Sequence, residues 1–359
     1  MSSASELAEL RSAVRDFLDG KAAPDAARYD AQLWSRLAGE LRLPALAIPE
    51  QYGGDGFGLV ELGVAMEEAG RVLLPSPFFA TAALAAPALL ASGDREACVR
   101  YLPDLAAGRT TATLAVAERD GSWAPERVVT HAVRDADGWA LTGEKHFVVD
   151  GTTADLLLVA ARTDDGPSLF AVDRRAAGLR AEPMPTLDST RPLAKVVLRS
   201  TPAAMIGAAH PIVDAALGVA YVALAAEQAG GARLCLEMSA SYARDRYQFG
   251  RPIGSFQAVK HKCADMLVQV ELAEAAVREA ARVAGTDEFP LAAVTAHACC
   301  SRAYMYVAME NIQVHGGIGF TWEHPAHRYF RRAKSAQLLF GGPAMYLEKV
   351  LDRLGIGEE

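Results

Sequence analysis

Little in this chain points outward. It has only five cysteines, at 98, 235, 263, 299 and 300, and no spacing among them matches a metal site or a disulfide framework. They are expected as buried, small apolar residues in a reducing cytosol. Basic charge is in deficit, with 36 Lys and Arg against 44 Asp and Glu, and a net charge of -8 argues against a nucleic-acid surface as the main role. The opening residues Met1-Ser-Ser-Ala-Ser-Glu-Leu lack a basic flank and an apolar core, so no signal peptide is expected and the chain is read as cytoplasmic. Only residues 72–93 form an uncharged run long enough to raise the question of a membrane span. Pro75, Pro77 and Pro87 interrupt it, and its alanine content reads as a loop followed by a buried helix, with no membrane association. No repeat or low-complexity tract stands out.

What is present is ordinary globular material: 51% hydrophobic and 22% charged residues over 359 positions, enough for two or three domains with sizeable cores. The periodicity changes twice. Residues 1–110 read as an N-terminal helical domain, with Leu7, Leu10, Val14, Phe17 and Leu18 at helical spacing and further helices at 59–69 and 95–105. Residues 111–207 hold short β-branched or apolar runs at 111–117, 128–134, 139–149, 156–161, 168–172 and 195–199, separated by turns such as Asp-Ala-Asp-Gly. This predicts a middle antiparallel β-barrel or sandwich. Residues 208–359 return to long helical patterns at 256–283, 292–312 and 344–354, which suit a C-terminal four-helix bundle. The fold class expected is therefore α+β and multidomain.

Two segments carry chemistry. Arg246-Tyr-Gln-Phe-Gly-Arg-Pro-Ile-Gly-Ser-Phe-Gln257 sets a guanidinium, an aromatic ring and an amide around a Gly-Arg-Pro turn. A guanidinium matches a pyrophosphate through bidentate, charge-assisted hydrogen bonds. Gln313-Val-His-Gly-Gly-Ile-Gly-Phe320 is a glycine cluster ending a helical pattern, and glycines let a backbone approach a ligand closely. On their own, Arg246 also fits a solvated helix end and the glycines a helix C-cap. Together and in this order, these segments resemble the FAD-binding segments of the acyl-CoA dehydrogenase family. The order helical, β, helical is also that family's, and the turn Tyr52-Gly-Gly-Asp-Gly56 and the stretch Gly143-Glu-Lys-His-Phe147 look like its landmarks.

The resemblance implies an FAD lying across a subunit interface. Arg246 would pair with the pyrophosphate, Phe249 would pack near it and Gln257 would contact the adenosine side. Gln313, Gly316 and Gly317 would contact the neighbouring subunit's FAD. In the β domain, Phe147 stands where the family has an aromatic residue by the flavin, and Val149 where it has a hydroxyl that reaches the flavin. Glu118 matches the acid of a turn that touches flavin and CoA, although Arg119-Asp120-Gly121-Ser122 is altered. The implied reaction is α,β-desaturation of an acyl-CoA, with reduced flavin passing electrons to an electron-transfer flavoprotein and with a dimer or tetramer, homomeric or mixed, as the assembly.

That reaction needs a carboxylate base beside the substrate α carbon. Of the two positions where the family places a glutamate, one is Phe340 here and the other falls on Ala220. Glu227, about two helical turns beyond Ala220, is the nearest substitute; its plain alternative, the commoner one for a helix glutamate, is a structural side chain paired with Arg233 or packed at an interface. Glu323 is a second acid near the glycine motif, with a loop or cap ion pair as its plain alternative. His324 and His327 have no spacing that argues for a metal. Either the base is displaced, or the chain is the base-less member of a heteromeric acyl-CoA dehydrogenase of the steroid and side-chain type, which Leu338-Leu-Phe-Gly-Gly-Pro343 and Ala326-His-Arg-Tyr329 resemble. A non-catalytic subunit that completes a partner's site, and a flavin oxygenase on the same fold, are the other functions the sequence allows.

Overall fold

Local signals start most of the helices. In this computed structural model, which describes residues 2–19, 29–135 and 138–356, helix α1 (Ala4–Leu18) opens on a reciprocal capping box. The Ser3 hydroxyl accepts from the Glu6 N–H, and the Glu6 carboxylate accepts from the Ser3 N–H at 2.6 Å. Asp30 caps α2 (Ala31–Glu40). After α3 (Leu59–Arg71), the uncharged run forms a π-helical segment, Phe79–Ala85, that continues as α4 (Ala86–Ala91). Every residue of the π segment is buried, as the loop-and-helix reading requires. Asp94 then caps α5 (Arg95–Ala106).

Seven strands follow: β1 (Ala112–Ala115), β2 (His131–Asp135), β3 (Gly138–Val149), β4 (Leu156–Thr163), β5 (Gly166–Asp173), β6 (Leu179–Pro183) and β7 (Leu193–Ala208). Their order is β1-β4-β2-β3-β7-β5; β5 pairs back onto β4, so the sheet closes into a barrel, and β6 lines up beside β7. Inside it pack Leu141, Leu157, Val159, Phe170, Val172, Val196 and Leu198. The sheet departs from the antiparallel expectation in two pairings, both with β4: β1 runs parallel to β4, and β2 touches β4 in parallel at His131 and Arg162. The β2–β3 hairpin lies between β1 and β4 in sequence and supplies the crossover that a parallel pair needs. Residues 136 and 137 of the expected Asp-Ala-Asp-Gly turn lie outside the described residues.

Helix α6 (Ala209–Asp245) leads to a small hairpin of β8 (Tyr247–Gln248) and β9 (Arg251–Pro252), then to α7 (Gln257–Arg282), α8 (Phe289–His315), α9 (Ala326–Leu338) and α10 (Pro343–Arg353). Contacts group the chain into two compact units. One comprises Ala27–Leu62 and Pro75–Ala220; the other comprises Ser2–Ala26, Gly63–Leu74 and Tyr221–Glu359. The second is built on Ala232, Cys235, Met266, Val270, Tyr304, Val307, Tyr329 and Ala333. Within it α3 and α6 approach backbone to backbone. A Cβ on Gly70 would collide with the Glu227 carbonyl, and a Cβ on Gly230 with the Glu67 carbonyl. Among the described residues only α6 is long and apolar enough to cross a membrane, and 67% of its most apolar window is buried. All five cysteines are free; Cys98, Cys235 and Cys300 are buried, whereas Cys263 and Cys299 are only half-buried.

Candidate cofactor and catalytic sites

The Arg246 segment is a hairpin, and its turn lies one step earlier than the sequence suggested. Tyr247 pairs with Pro252 and Gln248 with Arg251, so Phe249 and Gly250 are the two loop residues. Both have positive φ, 54° and 77°, as a two-residue hairpin of this hand demands. Glycine takes that conformation freely. A phenylalanine does not, and its presence there stores strain of the kind found at binding sites. The ring is 92% exposed, held edge-on to Phe256 at 6.1 Å, and the Arg251 guanidinium lies 4.0 Å over the Phe256 ring. Arg246 is exposed at the end of α6, its carbonyl accepting from the Ile253 N–H at 2.8 Å, and no carboxylate among the described residues pairs with its side chain. Gln257 is the exposed first residue of α7.

The glycine segment is equally open. Gln313 is exposed on the last turn of α8, and Gly316, with φ of 64°, ends that helix. A Cβ at Gly316 or Gly317 would meet nothing within 4 Å, so these glycines are not explained by packing inside the chain. Phe320 and Trp322 stand 71% and 69% exposed just beyond. Behind them the rings of Tyr242, His315 and His324 stack in series, 4.4 and 4.2 Å apart. The His315 Nδ1–H donates to the Asn311 carbonyl at 2.7 Å, and His324 Nδ1 accepts from the Ala326 N–H at 3.2 Å. Burial lowers the pKa of both histidines. Glu323 is exposed on the turn before α9.

In the barrel, β3 is bent by register shifts on either side of the Gly143–Lys145 stretch, which places Phe147, with φ of 56°, in a half-buried position. Val149 is fully buried, and its carbonyl accepts from the Thr113 hydroxyl at 2.6 Å. Glu118 is held from several sides: it accepts from the backbone N–H groups of Val129 and Thr130 and from Lys145 Nζ at 2.9 Å. Lys145 is fully buried and donates also to the Val116 carbonyl. Burial pulls its pKa down to about 8 against the opposing pull of Glu118. Burial pushes Glu118 up, but Lys145 and the Thr130 N–H outweigh it and hold the acid below its usual value. Glu118 thus ties the loop before β2 to β3. Lys145 was visible in the sequence only as part of a landmark; its place four residues beyond inward-facing Leu141, on the same side of a strand, was the available signal.

The two positions for a base are packed shut. Ala220 is fully buried. Phe340 is 1% exposed with φ of 66°, and its ring meets Tyr221 edge-on at 6.0 Å. Tyr221 stacks on His297 at 5.2 Å, and His297 meets Tyr346 edge-on at 4.4 Å. The Tyr346 hydroxyl donates to the carbonyls of Leu339 and Gly341, on either side of Phe340, and so clamps that segment. Lys349 Nζ donates to the Tyr221 hydroxyl at 2.8 Å. His297 is completely buried, neither ring nitrogen has a hydrogen-bond partner among the described residues, and burial together with Lys349 drops its pKa to about 3. Glu227 does not pair with Arg233, one of its two plain readings: Arg233 binds Glu271 and Glu274. Glu227 instead accepts from Arg332 Nη1 at 3.0 Å, both side chains being nearly inaccessible. Nothing in the sequence joined Tyr221, His297 and Tyr346, which come from three helices.

Three adjoining stretches of the chain match the profiles of the acyl-CoA dehydrogenase N-terminal domain at residues 4–109, middle domain at 113–200 and C-terminal domain at 211–355. The chain belongs to the acyl-CoA dehydrogenase family. Among relatives in this family is acyl-CoA dehydrogenase IpdE2 of Mycolicibacterium smegmatis, 35% identical over 95% of this chain and 96% of its own length. Among solved structures, a variant of the Tcur3481–Tcur3483 steroid ACAD is similar with a TM-score of 0.86 and 34% identity over 98% of both chains. The ChsE4–ChsE5 complex of Mycobacterium tuberculosis is similar with a TM-score of 0.90 and 28% identity, over 99% of this chain and 98% of that one.

Proposed function

We propose that this chain is the base-less subunit of a heteromeric, FAD-dependent acyl-CoA dehydrogenase that desaturates the α,β bond of a steroid-derived or side-chain acyl-CoA. The observation that carries this reading is Phe340: the family position for the base holds a phenylalanine, buried and clamped by Tyr346. Glu227 is a poor replacement, because a carboxylate engaged by a buried guanidinium must give up that partner before it can take a proton. The likeness to a complex of two differently named chains and to a steroid ACAD supports the mixed assembly and the substrate class.

The residues present fit a bound FAD on one side. Arg246 is exposed, has no carboxylate partner among the described residues and would meet the pyrophosphate; Phe249 would pack beside it and Gln257 would reach the adenosine side. Gln313 and the open backbone at Gly316 and Gly317 would contact FAD of the neighbouring subunit. They fit poorly at the ring, where buried Val149 has no hydroxyl to offer and Phe147 alone could pack against it. Bound flavin supplies the hydride acceptor. The chain's own part is to bind and orient it, while the partner subunit takes the α proton and an electron-transfer flavoprotein reoxidises the cofactor. Arg246→Ala removes a charge-assisted contact of about 1.5–3 kcal/mol, so the purified assembly should retain at least about tenfold less flavin. Absorbance of the folded variant checks this; unchanged flavin content would refute the Arg246 assignment.

A further inference from the structure

We propose that His315 is a positioning residue: its ring joins the end of α6 to the end of α8 and so holds the Arg246 hairpin and the Gly316 turn at a fixed spacing from each other. Each segment is first braced on its own helix. The Arg246 N–H donates to the Tyr242 carbonyl at 2.9 Å, and the hairpin returns so closely that a Cβ on Gly254 would lie 2.8 Å from the Ala243 carbonyl oxygen. At the other end, the Gly316 N–H donates to the Ile312 and Gln313 carbonyls. The turn then folds back until a Cβ on Gly319 would come within 2.9 Å of the Ile312 carbonyl oxygen and 3.2 Å of the His315 Cβ. Glycine at 254 and 319 is what permits these approaches. Wherever the two helix ends lie, the open segments are carried with them.

Two rungs set the distance between those helix ends. The first is buried: the Ser239 hydroxyl donates to the Asn311 side-chain oxygen at 2.8 Å. One turn on along both helices comes the second, the rings of Tyr242 and His315, 4.4 Å apart and tilted by 31°. His315 is 5% exposed, and its Nδ1–H bond to the Asn311 carbonyl, one turn back, fixes the ring's orientation and tautomer. His324 follows at 4.2 Å and ties in the loop before α9. Burial lowers the pKa of both imidazoles, so at pH 7 they face each other without repulsion. Aromatic pairs hold preferred offsets and angles, which makes three rings in series a stiff spacer. On the proposed function both segments meet flavin, and a ligand held at separate points loses contact when their spacing shifts by about 1 Å. The cofactor half of this inference rests on that reading; the joint itself does not.

Hydrogen exchange by mass spectrometry on the full chain reads the joint directly. His315→Ala should quicken exchange about tenfold in residues 246–257 as well as in 313–325, with the barrel strands unchanged. Tyr242→Ala, on the other helix, should loosen the same two segments. His315→Phe, which keeps a ring in the column, should return both to within about threefold of the natural rates. Flavin content of the purified assembly, by absorbance, should follow the same order: about tenfold lower in His315→Ala and near natural in His315→Phe. The double variant Tyr242→Ala, His315→Ala should be within about threefold of the weaker single, since both remove one contact. Urea midpoints identify variants that remain folded. Exchange that quickens only in 313–325, a His315→Phe as loose as His315→Ala, or a double variant whose losses multiply would each overturn the proposal. If Arg246→Ala loses flavin while His315→Ala keeps it, this inference fails and the proposed function stands. If Arg246→Ala keeps its flavin, the proposed function fails, and the exchange rates alone decide the joint.

Discussion

Two regions of the helical unit that the proposed function ties to one reaction are built in opposite ways. The segments around Arg246 and Gly316 are open: Phe249 stands 92% exposed on a strained turn, and a Cβ at Gly316 or Gly317 would meet nothing within 4 Å. The segment around Phe340 is closed, with Tyr221, His297 and Tyr346 interlocked over it and Tyr346 bonded to the backbone on both sides. Exposed aromatic and glycine-rich structure at a chain's surface is costly to keep unless something binds there. A packed aromatic cluster needs no ligand to account for it. On the proposed function, the contrast teaches that a family member can keep the part of a site that faces another molecule while the position proposed for its base becomes core.

The strongest attempt to break this comparison is Phe340→Glu. If only the base were missing, restoring it would restore chemistry. In a closed cluster, the variant should instead lose about 3–5 kcal/mol of stability in urea unfolding, as for an unpaired buried charge, and gain no flavin bleaching with acyl-CoA. A folded variant that bleaches quickly would show the region to be open.

A control for the closed type of structure lies in the barrel. Lys145→Met strands Glu118 without its buried partner and should cost about 3–5 kcal/mol, read from urea midpoints. A loss below about 1 kcal/mol would mean that the backbone N–H groups of Val129 and Thr130 hold Glu118 unaided.

The smallest effect sharpens the comparison through pH. His297 has a pKa near 3 in the folded chain, while the unfolded chain takes up the proton near 6.5. The unfolded state therefore binds more protons between those values. Stability falls as pH drops through this window, by up to about 1.4 kcal/mol per unit from His297 alone. His297→Phe should be near neutral at pH 7 and more stable than the natural chain at pH 5. Parallel pH profiles for the two proteins would show that His297 is reached by water and that the cluster is not closed.

Much of the architecture was legible because periodicity records burial. The switch from 3.6 to 2 and back placed both helical regions and the barrel strands. It missed β6, whose Leu-Arg-Ala-Glu-Pro sequence alternates but is only five residues long, has no β-branched or aromatic residue and ends in proline. It cut β7 short, since the strand runs from Leu193 to Ala208 through Pro202. The parallel β1–β4 pairing was invisible because nothing local encodes which strands meet. In the candidate sites, Arg246 and the glycines stood out as motifs because a motif rests on residue type at short spacing. The turn was misplaced onto Gly-Arg-Pro because a phenylalanine at positive φ contradicts local preference. Glu227 was paired with the wrong arginine because Arg332 is distant in sequence, and the cover over Phe340 depends on side chains from three helices.

The central claim is that this chain lacks the proton-abstracting group and depends on a partner for it. The direct measurement is anaerobic flavin reduction by a panel of acyl-CoA thioesters, followed by absorbance, for the purified chain alone and after assembly with a glutamate-bearing family subunit. The account predicts that the chain alone is slower by about 10²–10⁴-fold and that the assembly bleaches rapidly. Fast bleaching by the chain alone, abolished in Glu227→Gln with flavin retained, would contradict it.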